Sequence, residues 1–161
     1  MTNNKLSVLV NTFGSSLISV GREVGFEVTL NKAQVTQGVK ADNACVASLI
    51  GIVGGGIQGT AVIMLDDSGF RTVVNAMSGG MIKPDSSDPT AMSVVGELSN
   101  MTSGRALIQS ALDGVDVTPP QLLSGNNIKN IQTQMSGIKY FTLPFTVQPS
   151  GTLYLILSFK A

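Results

Sequence analysis

The chain contains no histidine, no tryptophan and one cysteine, and only 12% of its 161 residues are charged, about half the usual share. Without histidine there is no Ser-His-Asp or Cys-His nucleophile and no imidazole metal ligand. Cys45 alone permits neither an intrachain disulfide nor a CxxC redox pair. Ten basic and ten acidic side chains cancel to zero net charge, which leaves no electrostatic footprint for nucleic acid, whose binding leans on clustered Lys and Arg. What the chain has is apolar surface: 43% hydrophobic residues and a mean hydropathy of +0.30. Its length suits one domain, residues 1–161, able to bury roughly two-thirds of its unfolded surface.

So apolar a chain raises the question of a membrane span. Asn43 to Leu65 is a run of 23 uncharged residues, long enough to cross a bilayer as a helix. Five glycines (Gly51, Gly54, Gly55, Gly56 and Gly59) fall within nine positions at its centre, where such a helix would be weakest. The flanks instead predict two short buried strands, Ala47 to Val53 and Thr60 to Leu65, joined by a glycine turn. The nearest charges are Asp42, Asp66 and Asp67, with none of the Lys/Arg asymmetry that orients a span. A second uncharged run, Tyr140 to Phe159, is punctuated by Pro144, Pro149 and Gly151 and alternates as a hairpin. The first residues carry one lysine and an apolar stretch broken at Asn11, a poor signal peptide. The expectation is a soluble cytoplasmic protein with no membrane segment.

Leu6, Leu9, Val10, Phe13, Leu17 and Val20 recur at helical spacing, with Asn3 and Asn4 as candidate caps and Gly21 as the stop. Phe26, Val28 and Leu30 alternate as a strand. After the glycine hairpin, Phe70, Val73, Val74 and Met77 form the stripe of a short helix, capped by Asp67 or Ser68 and stopped by Gly79-Gly80. The next helix starts with Asp88 at the cap and Pro89 in the first turn, where a missing N–H costs nothing. It is predicted to run to about Leu112 and end at Asp113-Gly114. A strand from Val115 is interrupted by Pro119-Pro120. Two final strands carry Phe141, Leu143, Phe145 and Val147, then Leu153, Leu155, Leu157 and Phe159, across a Pro149-Ser150-Gly151 turn.

Three anchors recur in order. Gly25-Phe26-Glu27-Val28-Thr29 matches Gly114-Val115-Asp116-Val117-Thr118 at an offset of 89, and the same offset places Asn11 on Asn100. Gly59-Thr60-Ala61-Val62-Ile63-Met64-Leu65 matches Gly151-Thr152-Leu153-Tyr154-Leu155-Ile156-Leu157 at an offset of 92. The chain therefore reads as two helix–strand–hairpin units, about 6–66 and 95–158, joined by a segment with an extra helix. The expected architecture is α+β: one antiparallel sheet with helices on one face and an approximate two-fold axis.

Four constellations bear on chemistry. Gly54-x-Gly56-x-x-Gly59 has the spacing of a dinucleotide fingerprint, which would make a nucleotide-dependent oxidoreductase. That fingerprint requires a following helix to face the pyrophosphate, whereas a strand follows here, so the run reads as a hairpin turn. Asp66-Asp67-Ser68 could hold magnesium or cap the next helix, and the helix start just beyond favours capping. Cys45 sits between Ala44 and Val46 with no basic neighbour, the setting of an inert buried thiol. The fourth is Gly96-Glu97-Leu98-Ser99-Asn100-Met101-Thr102-Ser103-Gly104. Glu97 and Asn100 are three apart and share a helix face with Ser93 and Gly104, while Ala91, Val94, Val95 and Leu98 lie roughly opposite, facing the sheet. Mid-helix asparagine has no capping role. An amide and a carboxylate on such a face could orient a water and meet a cation in a partner's cleft; a plain solvated polar face is the other reading of these residues.

Glu97-Leu98-Ser99-Asn100-Met101 with Gly104, the E-x-x-N-M-x-x-G helix signature, resembles the CheX branch of the CheC/CheX/FliY phosphatase family of bacterial chemotaxis. Asp116-Val117-Thr118-Pro119-Pro120 and Gly125 stand where that family has a strand, a proline and a glycine, and the internal repeat is typical of it. The resemblance implies hydrolysis of the aspartyl phosphate of a CheY-type response regulator. Asn100 would position the attacking water, Glu97 would pair with the regulator's lysine, and Ser93, Met101 and Gly104 would contact the partner. Such an enzyme binds no cofactor or metal of its own; the Mg2+ belongs to the regulator. CheC-type members can carry two such sites, but the first unit here keeps Asn11 and has Val8 in place of the glutamate, so the resemblance implies one active helix. It also implies a homodimer. The alternative within the same resemblance is a non-catalytic binding module in a chemotaxis or other two-component pathway.

Overall fold

A computed structural model describes residues 3–135 and 139–160. Helix α1 spans Asn3–Val24, followed by β1 (Glu27–Leu30), a 3-10 turn at Lys32–Gln34, and β2 (Thr36–Gln37). The hairpin β3 (Val46–Gly54) and β4 (Ile57–Leu65) leads into α2 (Asp67–Ser78) and α3 (Pro89–Gln109). The chain closes with β5 (Val115–Val117), β6 (Gln121–Ser124), α4 (Asn126–Met135), β7 (Phe141–Gln148) and β8 (Thr152–Lys160).

Eight strands form one antiparallel sheet in the order β1-β7-β8-β4-β3-β5, with β2 pairing to β7 and β6 to β3. The order is symmetric about its centre. There β4 runs against β8 with Ile63 opposite Leu155, two residues that the offset of 92 also equates. Val28 of β1 faces Val147 of β7; Val117 of β5, equated with Val28 by the offset of 89, faces Ile52 of β3. Each unit thus lends its first strand to the other unit's hairpin. The repeat read from the sequence is the two-fold symmetry of the sheet.

Side-chain alternation divides the interior in two. The larger core joins Val46, Ile50 and Ile52 of β3, Ala61, Ile63 and Leu65 of β4, and Leu153, Leu155 and Leu157 of β8 to α1, α2 and α3. The helices expected on one face are these three. The opposite face of β3, β4 and β8 gives Ala47, Val62, Met64 and Ile156, which bury with Ile128 of α4, Ala41 and Tyr140. Helix α4 was not anticipated. Its sequence has three apolar residues at helical spacing, Ile128, Ile131 and Met135, among asparagines and glutamines that resemble a linker.

The boundaries show which local chemistry decides them. Helix α1 runs past Gly21 to Val24; Gly25 N–H and Phe26 N–H both donate to the Gly21 carbonyl at 2.9 Å, and the left-handed turn falls on Gly25, φ +109°. Gly21 is instead the residue over which the chain folds back, since a Cβ there would sit 3.0 Å from the Phe26 carbonyl oxygen. The side chains of the candidate caps Asn3 and Asn4, and of Leu6, lie outside the described residues. Helix α2 is capped by Asp66, one residue before Asp67 and two before Ser68: its carboxylate accepts from Gly69 N–H at 2.8 Å and from Thr152 N–H at 3.0 Å, tying the helix start to β8. Its stop at Gly79 is left-handed, φ 62°. Helix α3 starts as read, with the Asp88 carboxylate accepting from Thr90 N–H at 2.9 Å and Pro89 in the first turn. It ends at Gln109, short of Leu112, with Ala111 at φ 52°. Among the described residues, no helix is long and apolar enough to cross a membrane.

Candidate functional site

Helix α3 lies across β3, β4, β5 and β6 and beside α1. Its inner face is Ala91, Met92, Val95, Gly96, Leu98, Ser99, Thr102, Ser103 and Ala106, all buried. Gly96 sets how closely it seats, because a Cβ there would stand 3.3 Å from both Pro120 and Leu122. With that face fixed, at 100° per residue the five residues Ser93, Glu97, Asn100, Met101 and Gly104 fall within an arc of about 100° on the outer side. Ser93, Glu97 and Asn100 are exposed; Met101 and Gly104 are half-buried. The structure therefore places all five sequence-derived site residues on one stripe of one helix.

The side chains of Glu97 and Asn100 make no hydrogen bond or ion pair with another described residue, so both groups face outward uncommitted. The Ser93 hydroxyl is already used, donating to the Thr90 carbonyl at 2.7 Å. A Cβ on Gly104 would meet nothing within 4 Å, so the surface beside Asn100 is open and low. An amide both donates and accepts, and on a helix anchored by its whole inner face it can be held in place while it does so.

Three residues that carry no motif signal, Arg105, Ile108 and Gln109, continue this surface from Met101 toward the end of α3. Met101, Arg105, Ile108 and Gln109 line a groove of about 460 Å³. Arg105 reaches across to α1 and donates to Glu23 at 2.6 Å. This hydrogen bond holds the Glu23 carboxyl below the usual carboxylate range and the guanidinium above its ordinary value. The Ser16 hydroxyl of α1 donates to Gln109 Oε1 at 3.3 Å.

The other constellations resolve into structure. Gly54, Gly55 and Gly56 all have positive φ at the turn between β3 and β4, and no helix follows. Asp66 caps α2, and Asp67 pairs with Arg71 at 2.9 Å. Cys45 is half-buried, and burial, with the nearby Asp67 and Asp66 charges, pushes its thiol up. No three His, Cys, Asp or Glu side chains converge as a metal site among the described residues. In the first unit, Asn11 is exposed on α1, as Asn100 is on α3, with Val8 54% exposed one turn before it.

The architecture is a two-fold α+β sheet backed by two long helices, one of which shows an unpartnered carboxylate and amide one turn apart on its outer face. The chain belongs to the Chemotaxis phosphatase CheX family, which it matches over residues 46–146. It is 34% identical to the CheY-P phosphatase CheX of Thermotoga maritima over 124 residues, 75% of this chain and 78% of that protein. In structure it is similar to a CheC-like superfamily protein from Shewanella sp. PV-4, with a TM-score of 0.73, 26% identity and complete coverage of both chains. It also shares the fold of the CheX of Borrelia burgdorferi, solved as a complex with CheY, BeF3 and Mg2+, with a TM-score of 0.68, 18% identity and 97% of each chain covered.

Proposed function

We propose that this chain, as one domain over 1–161 built from units about 6–66 and 95–158, hydrolyses the aspartyl phosphate of a CheY-type response regulator. The observation that carries the reading is the pair Glu97 and Asn100, exposed and unpartnered on the outer stripe of α3, in a relative of a CheY-P phosphatase at 34% identity.

The overall reaction consumes one water and returns the regulator's aspartate and inorganic phosphate. Water attacks phosphorus, the bond to the aspartyl oxygen breaks, and the carboxylate leaves with that electron pair. Phosphoryl transfer of this kind needs positioning and charge neutralisation more than covalent help. The chain's contribution is accordingly small in atoms. The Asn100 amide enters the regulator's site, accepts a hydrogen bond from the attacking water and aligns it with the breaking bond. Glu97 pairs with the regulator's lysine and fixes how deep α3 docks. Ser93, Met101 and Gly104 form the contact around them, and the open surface at Gly104 lets the regulator's loops approach. The Mg2+ that neutralises phosphoryl charge is the regulator's. The protein works in the cytoplasm as a homodimer.

The test is phosphate release from an acetyl-phosphate-treated regulator by wild type, Asn100→Ala and Glu97→Lys. Asn100→Ala should lose about a hundredfold in turnover, the scale expected when a reacting group is no longer positioned. Glu97→Lys should lose docking through like-charge repulsion. Undiminished turnover by Asn100→Ala would sink the mechanism. Saturable binding with no effect of the wild-type protein on dephosphorylation would assign it to the non-catalytic module instead.

A further inference from the structure

Glu97 and Asn100 are two polar side chains, whereas a specific interface of standard size buries about 800 Å² per partner and draws most of its energy from a few apolar or aromatic anchors. The outer stripe of α3 has one such residue that the motif does not include. Ile108 is 81% exposed, a degree of exposure at odds with the burial of most other isoleucines and leucines in this chain. At 100° per residue it lies on the same stripe as Glu97, Asn100 and Gly104, displaced along the axis from Asn100 by about 12 Å.

Ile108 does not stand alone. With Met101 it forms the walls of the 460 Å³ groove, and Arg105 and Gln109 complete the lining. Both lining side chains are tied down from α1, Arg105 by Glu23 at 2.6 Å and Gln109 by Ser16 at 3.3 Å. Their stems therefore form a preset surface, and a partner filling the groove has less side-chain freedom to freeze. With the Arg105 charge met by Glu23, the larger part of what the groove offers a visitor is apolar, from Met101, Ile108 and the side-chain stems.

We infer that this groove is the anchor site for the regulator and that Ile108 determines which regulators bind: the occupant is an apolar side chain on the regulator's surface, about 12 Å from its acyl phosphate. The inference rests on the reading of Asn100 as the residue that enters the regulator's site, since that fixes which molecule lies along the stripe. Ile108 is a specificity residue here and touches no reacting atom.

The test uses the full chain and a CheY-type regulator loaded with beryllofluoride and Mg2+, which reports docking without hydrolysis, alongside steady-state dephosphorylation of the phosphorylated form. Ile108→Asp should raise Kd for the loaded regulator and KM for the phosphorylated one tenfold or more. Ile108→Leu should restore both to within twofold of wild type. A residue this exposed is replaced without loss of fold, which unchanged thermal unfolding verifies. Unaltered Kd and KM in Ile108→Asp would overturn the inference. So would a shift in oligomeric state by light scattering, because the groove would then belong to a second copy of this chain. The two readings fail separately. Full turnover by Asn100→Ala removes the catalytic role while the beryllofluoride Kd still decides the anchor; no measurable binding of the loaded regulator by wild type removes both.

Discussion

Helices α1 and α3 hold equivalent places in the two units, yet they are built for different work. Toward the core α1 presents Leu9, Val10, Phe13 and Leu17; the positions 89 residues later on α3 are Leu98, Ser99, Thr102 and Ala106. Phe13 and Leu17 are fully buried and Phe13 also meets Phe159, with ring centroids 5.6 Å apart. On α3 the corresponding surface is small, and the hydroxyls of Ser99 and Thr102 are buried without a hydrogen-bond partner. The outer faces differ in the opposite sense: α3 shows Glu97 and Asn100, α1 shows Val8 and Asn11. One helix carries the bulkier packing and the other the exposed polar pair. The small inner face of α3 is tolerable because α1 and the shared sheet supply most of the apolar core.

The comparison breaks most visibly in stability. Phe13→Ala should cost about 3–5 kcal/mol, the range for losing a buried aromatic and leaving its cavity. Its counterpart Thr102→Val removes an unpaired buried hydroxyl at nearly constant shape and should be neutral or stabilising by about 1 kcal/mol. Urea unfolding of the two variants measures both. A clear loss of stability in Thr102→Val would mean that the hydroxyl is satisfied by buried water and that α3 is more firmly seated than its small inner face suggests.

The same contrast explains what could be read beforehand. The repeat was legible because it rests on glycines and alternating strands, whose constraints are local, and the sheet's symmetry follows those offsets. Glu97 and Asn100 were legible because a three-residue spacing on a well-capped helix fixes their common face. Helix α4 was not, since three scattered apolar residues among asparagines and glutamines read as a linker, and what fixes it is burial of Ile128 against the far side of the sheet. The cap of α2 moved to Asp66 because that carboxylate also receives Thr152 N–H from β8, a contact 86 residues away. Ile108 is not legible in this way: in sequence an isoleucine near the end of an apolar helix looks like core, and only the packed structure shows it uncovered.

On the outer faces the expected contrast is in turnover. Asn11→Ala should leave phosphate release within twofold of wild type, while Asn100→Ala loses about a hundredfold. The reason is that Val8 gives α1 no carboxylate to meet a regulator's lysine, so Asn11 has no docked substrate to act on. If Asn11→Ala lowers turnover substantially, or if the Asn100→Ala protein retains a residue of activity that Asn11→Ala then abolishes, both helices work and the asymmetry at Val8 is not decisive.

The smallest effect lies where the two helices touch. Ser16 and Arg105 are equivalent under the offset of 89, and each reaches across to the C-terminal part of the other helix, Ser16 to Gln109 and Arg105 to Glu23. One tie is neutral and one is charged, so acid separates them. The hydrogen bond from Arg105, with its charge as a lesser contribution, holds the Glu23 carboxyl below its unfolded value. Its stabilisation is therefore fully present above the unfolded value, about 4.3, and is lost as pH falls through the depressed folded value. Because the pair lies at the surface, with Glu23 exposed and Arg105 partly so, the effect is small and screened by salt. The difference in unfolding temperature between wild type and Glu23→Gln should stay constant from pH 7 to pH 5, shrink below about pH 4, and shrink likewise at high salt. The difference between wild type and Ser16→Ala should respond to neither. If the Glu23→Gln difference is flat through acid, the ion pair does not hold Arg105 in solution, and the preset lining of the groove beside Ile108 rests on Gln109 alone.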